Sequence, residues 1–259
     1  MKKWIVAFMC MAFLVLLTGC EDWFNAIPKD KVMVKQIMKE NPGIEPEYEG
    51  VLSQETAKTL SLQAINKYYE MNVTMNELRF ESVYVDQNKL NELLNSPRPQ
   101  EEPVVYYGDK VLPDQDHYRD KAFLDQIPRG LYYVTLTQSE KPNEVYDVVL
   151  NAKDGDVLKM SRKGRQQSAS QWITENKVFD IGDRSIIANR FIEEKGSYLL
   201  SELTLNQDMT RWDMNDAVEI FYTSKDNQTI KYSVTVSLRN EVSGFSKDIM
   251  ALLSYIRVK

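Results

Sequence analysis

The 259-residue chain has one histidine and two cysteines. That is too few for a zinc site built from cysteine and histidine. It also leaves His117 as the sole candidate base for a Ser-His-Asp triad. Ten glycines and nine prolines exclude a collagen-like or low-complexity chain. Basic charge is short as well. Thirty-two Lys and Arg stand against 38 Asp and Glu, a net of −6, which argues against nucleic acid as a partner. No apolar run is long enough to span a bilayer, which takes about 20 residues. The longest, Trp4 to Leu17, has 14. No phosphate-binding glycine loop, dinucleotide fingerprint, H-E-x-x-H, G-x-S-x-G or EF-hand loop is present. What remains is a chain that is 43% hydrophobic, enough for one or two ordinary domains.

The first 20 residues read as an address. Lys2 and Lys3 precede the apolar run, and Leu17-Thr18-Gly19-Cys20 follows it. This order is that of a secretory signal, a segment outside the fold. The four residues resemble the lipobox of bacterial lipoproteins. The resemblance implies cleavage before Cys20, a diacylglycerol on its thiol, and loss of residues 1–19. Cys20 is then the lone cysteine left, so no internal disulfide forms. Losing Lys2 and Lys3 takes the net charge from −6 to −8. An anionic bilayer repels such a body mildly, so the lipid rather than the surface holds it. The expected location is the outer face of the bacterial cytoplasmic membrane.

Residues 20–50 carry Pro28, Pro42, Gly43 and Pro46 and read as anchor and tether. Ser53 is placed to cap a helix over 53–71, with Ala57, Leu60, Ala64, Tyr68 and Met71 on one face. Leu78 to Val85 reads as a strand. Residues 86–128 hold Pro97, Pro99, Pro103 and Pro113 and read as an inserted loop with short elements at most. Tyr132 to Thr137 and Tyr146 to Leu150 alternate with period two around a polar turn, and Val157 to Met160 follows Asp154-Gly155. That predicts a three-stranded meander.

Residues 161–175 are mostly polar and read as a linker. Their cations, with Lys159, count too few for a lipid-headgroup patch. A second helix is expected from Asp183, as its cap, to Lys195, with Gly196 at positive φ after it. Strands follow around Leu199 to Leu205, Val218 to Tyr222 and Ile230 to Leu238. Ile249, Leu252, Leu253 and Ile256 predict a final helix over 246–256.

The expected fold is α+β: two tandem helix-plus-antiparallel-sheet units behind a cleaved signal peptide. Residues 51–160 form the first, with insertion 86–128, and 176–259 the second. A faint repeat supports the pairing. Asn66-Lys67-Tyr68 matches Asn189-Arg190-Phe191 at an offset of 123, and the hairpins match at about 88.

The stretch Tyr146 to Leu158, ending in Asp154-Gly155-Asp156-Val157, resembles the end of a PepSY-type module, with cystatin-like layouts as structural neighbours. Asn151 stands where that pattern is acidic. The resemblance covers roughly residues 53–160. It implies a small extracytoplasmic module that binds or restrains other envelope proteins, and no catalytic residues.

Few residues invite a site. His117 with Asp114 and Asp116 reads as a solvated loop rather than a metal site. Asp154-Gly155-Asp156 reads as a turn rather than a calcium site. Tyr68-Tyr69, Tyr106-Tyr107 and Tyr132-Tyr133 read as packing rather than a sugar platform. The functional expectation is therefore non-enzymatic: a lipid-anchored interaction or regulatory module, with lipid attachment at Cys20, no cofactor, no metal and an envelope protein as partner. The alternative is a lipoprotein holding a small solute or cell-wall fragment on a curved sheet.

Overall fold

The structure, a computed structural model, describes residues 49–95, 125, 127–164, 181–213, 217–227 and 229–256, with the backbone alone for 93–95, 212–213 and 256. All belong to one compact unit, Glu47–Lys259.

Helix α1 spans Gln54–Tyr68. Ser53 caps it, its Oγ accepting the Thr56 N–H at 3.1 Å, a bond worth about 1 kcal/mol. Ala57, Ser61, Ala64 and Ile65 form its buried face. Three of these four are small, so the helix sits close to the sheet. A 3₁₀ turn, Met75–Glu77, leads into β1, Leu78–Val85. Helix α2 is Gln87–Asn95. Strands β2 (Leu131–Gln138), β3 (Val145–Asn151) and β4 (Val157–Lys163) follow. Then come α3 (Ile181–Lys195), a 3₁₀ turn Leu200–Glu202, and β5 (Leu203–Asp213). Strands β6 (Ala217–Ser224), β7 (Ile230–Ser237) and β8 (Val242–Lys247) precede α4, Ile249–Ile256.

The expectation of two tandem units is overturned. All eight strands form one antiparallel sheet in the order β1-β2-β3-β4-β8-β7-β6-β5. The cause is β8, a strand the sequence reading did not include. It pairs with β4 through Lys159↔Ser246, Met160↔Phe245 and Ser161↔Gly244. Two four-stranded runs would each have exposed an inner edge, and here those edges satisfy one another. Gly244 permits the approach, since a Cβ there would lie 2.7 Å from the Met160 carbonyl oxygen. The element order of the halves does recur. β1 and β5 begin 125 residues apart, β2 and β6 86 apart, β3 and β7 85 apart, and β4 and β8 85 apart. They nonetheless share a sheet and a core.

Helices α1 and α3 cover one face. Ala57, Ile65, Ala188 and Ile192 join Tyr132, Val148, Ile220 and Val234 in a single core that runs across both halves. Its centre is an apolar row in register over six strands: Val134, Val148, Met160, Phe245, Val234 and Ile220. The opposite face carries two smaller clusters. Leu90 of α2 packs with Ile127, Leu131, Val149 and Leu158, while Ala251, Leu252 and Tyr255 of α4 pack on Phe221 and Ile230.

Smaller corrections follow the same physics. Residues 161–163 of the expected linker belong to β4, their cross-strand bonds outweighing a polar composition. Part of the expected 86–128 loop is α2, anchored by the buried Leu90. Asp183 lies in the first turn of α3 rather than at its cap. Gly196 is not at positive φ. It is there for space, because a Cβ would stand 2.5 Å from the Ile192 carbonyl oxygen.

Candidate functional site

With helices on both faces, the sheet formed by the described residues has β1 and β5 as its edges. They differ. β5 breaks register with β6 between Asn206 and Arg211, and such a bulge spoils an edge as a template. β1 pairs with β2 in unbroken register from Leu78↔Gln138 to Val85↔Leu131. The Ser139 N–H donates to the Glu77 carbonyl at 2.8 Å, which fixes the phase. Residues 79, 81, 83 and 85 turn their backbone groups toward β2, and residues 78, 80, 82 and 84 turn theirs outward. The Leu78 N–H already donates to the Met75 carbonyl. Phe80 and Tyr84 pack partly against the main core, while Arg79 and Glu81 are exposed on the opposite face.

Among the described residues, one ion pair is buried on both sides, Arg211 with Glu219. Arg211 Nη2 lies 2.6 Å from Glu219 Oε2, and its Nε lies 3.0 Å from the same oxygen. Arg211 also donates to the Ser254 and Tyr255 carbonyls, closing the C-terminal end of α4. Ser233 and Ser254 hydroxyls donate to Glu219 Oε1 at 2.8 and 2.7 Å. Burial pushes the Glu219 carboxyl up, but Arg211 and these donors outweigh it and hold it below the ordinary value. The group is an ionised acceptor at neutral pH.

A second cluster lies where the halves meet. Lys247 Nζ lies 2.6 Å from Asp156 Oδ1 and 3.3 Å from Ser197 Oγ. The Tyr198 hydroxyl bonds Asp248. Burial first, and then Asp248, push that phenol up, so it stays protonated. Burial, opposed by Arg162 and aided by Glu144, likewise raises Tyr146 to about 12.

A shallow depression of about 290 Å³ sits beside the end of β1, lined by Glu49, Tyr84, Asp86 and Arg129 among others. Among the described residues no group of three His, Cys, Asp or Glu is placed to hold a metal. Among them, too, no helix is long and apolar enough to cross a membrane.

The residues singled out from sequence fall as follows. Cys20, Asp114, Asp116, His117 and Tyr106-Tyr107 lie outside the described residues. Asp154 makes a turn, its Oδ1 accepting the Asp156 N–H, with Gly155 at φ 77°. Asp156 is taken by Lys247. Arg162 pairs with Glu144, just before β3, and Lys163 with Asp147 of β3, so both cations have partners nearby. Tyr68 stacks obliquely on Phe191 and Phe245, Tyr69 on Tyr146, and Tyr132 on Tyr84. The Arg211–Glu219 pair was not anticipated. Its sole sequence signal is an acid amid the apolar alternation of Val218, Ile220 and Tyr222. The β1 edge gave no signal, because strand order is invisible in a pattern.

Comparison with family models, with curated proteins and with solved structures finds no match for this chain.

Proposed function

We propose that this chain is a lipid-anchored, extracytoplasmic bacterial protein that acts as a non-enzymatic interaction or regulatory module, held by lipid on Cys20 to the outer face of the cytoplasmic membrane. The observation that carries the reading is the combination of the Leu17-Thr18-Gly19-Cys20 signature with an unbulged strand edge. A sheet edge binds protein by adding a strand, with backbone bonds for affinity and alternate side chains for specificity. The solute-binding alternative would need a concave apolar pocket. The depression near Arg129 is instead shallow and bordered by Glu49 and Asp86.

The anchor is tested first. Cys20→Ala in the full chain is expected to abolish incorporation of labelled palmitate and to move the protein from membrane to soluble fraction. Retention of label and membrane association would refute the lipidation reading. In-cell crosslinking with mass spectrometry then tests the interaction role, which fails if lipid alone is recovered.

A further inference from the structure

The outward backbone groups of β1 lie at Leu78, Phe80, Ser82 and Tyr84, as derived above. An added antiparallel strand must therefore pair even-numbered residue to even-numbered residue. For a second copy of β1 arriving about a two-fold axis, that admits registers centred on any residue from Arg79 to Val83. Those centred on Arg79 or Glu81 set like charges against each other on the axis, and one centred on Val83 pairs no charges. Registers centred on Phe80 or on Ser82 remain. Charge separates them. Centred on Phe80, Arg79 of each copy faces Glu81 of the other, twice by symmetry. Centred on Ser82, Glu81 faces Val83 and Arg79 faces Val85, and no pair forms. Arg79 and Glu81 are both exposed. Neither makes a salt bridge with a described residue. Exposed charges ordinarily guard an edge against strand addition. These two guard it against most strands and complement their own copy.

We propose that two copies of this chain join through β1, antiparallel, with Phe80 opposite Phe80 on the two-fold axis and the two Arg79–Glu81 pairs flanking it. This rests on the edge-binding reading above and names its partner. Four backbone bonds close the junction. The two Phe80 residues exchange a pair, and each Ser82 N–H donates to the Leu78 carbonyl of the other copy. The Leu78 N–H keeps its bond to Met75. Such a contact is small. Anchors in a common bilayer raise the effective concentration at which the edges meet, which is why the membrane-bound protein is the one to test.

Phe80→Cys in the full-length, membrane-bound chain places two thiols across a hydrogen-bonded pair, with Cα atoms about 5.5 Å apart, within disulfide reach. Mild oxidation in cells is expected to give a covalent dimer with Phe80→Cys and little with Ser82→Cys. The wild-type chain serves as background for Cys20 and Cys10. Adding Arg79→Glu or Glu81→Arg to Phe80→Cys makes like charges face each other twice and should cut the dimer about tenfold. Combining both changes should restore it, as should co-expressing the two single-charge variants, whose edges complement each other. The charge variants also cover the case in which Cys at position 80 disturbs the fold, since native crosslinking reads them without it. A dimer from Ser82→Cys instead, or failure of the double swap to restore, overturns the proposal. Conjugates with other proteins alone would refute self-pairing and leave the edge reading standing. No conjugate of any kind at β1 would remove both.

Discussion

Glu219 is the residue on which α4 depends. Its carboxylate accepts from Arg211, Ser233 and Ser254, and Arg211 reaches on to the last carbonyls of α4. A buried ion pair of this kind adds little over apolar residues of equal size, but breaking it strands a charge at about 3–5 kcal/mol. Glu219→Leu should therefore destabilise by about 3 kcal/mol or more in urea unfolding. The double variant Arg211→Met, Glu219→Leu should cost less than that single change, since no charge is left without a partner. The pH dependence has a definite sign. The folded carboxyl titrates below its ordinary 4.5. Its contribution is fully present above that value and is lost as pH falls through the folded one. Unfolding midpoints measured from pH 6 down to pH 3 should fall more steeply for wild type than for Glu219→Gln. Parallel curves would show that the pair is not coupled to folding.

At the scale of elements, the joint between β4 and β8 decides the architecture. Gly244 faces the Met160 carbonyl, and a Cβ would come within 2.7 Å of that backbone oxygen, an atom that moves only if the strand moves. Gly244→Ala should cost about 1–3 kcal/mol, the range for overpacking, and speed amide exchange in β4 and β8. Gly164→Ala, with nothing within 4 Å of its Cβ, is the matched control. Equal stability of the two variants would contradict the close approach. The same joint explains what the sequence did and did not reveal. β1, β2, β3, β4, β6 and β7 were legible as apolar, β-branched and aromatic runs between turn signals, although β3 and β6 bury residues on both faces. Ser53 announced the start of α1. Val242-Ser-Gly-Phe-Ser-Lys247 has two apolar residues in six and a central glycine, so its strand character comes from tertiary pairing rather than propensity. Without it the second half looked one strand short and the halves looked separate. Gln87–Asn95 was hidden by the prolines that follow it. The candidate edge was legible in its residues and illegible in its position, since no local pattern says which strand ends a sheet.

Across the whole molecule, the halves are tied by more than the three residue pairs of the β4–β8 junction. Tyr68 of α1 packs on Phe191 of α3 and Phe245 of β8, with ring centroids 6.1 and 4.7 Å apart. Lys195 at the end of α3 lies 2.6 Å from Glu70 and donates to the Tyr68 carbonyl just past and at the end of α1. The Tyr69 hydroxyl donates to the Ser243 carbonyl at 2.8 Å, and Lys247 reaches Asp156. Glu70 and Asp156 are exposed, so solvent screens both ion pairs. The continuous core from Ile65 and Val148 to Val234 and Ile192 carries the coupling instead. Opening either half would expose the inner edge and apolar face of the other. The chain should therefore unfold in one cooperative step although its element order recurs. Two measurements check this. Urea transitions followed by far-ultraviolet circular dichroism and by tyrosine absorbance should coincide. Native-state hydrogen exchange in β2–β3 and in β6–β7 should converge on one opening free energy. Independent units would give two midpoints, with the half lacking α4 opening first because it holds fewer of the second-face contacts. That result would mean the β4–β8 joint is a contact between domains rather than the middle of a sheet.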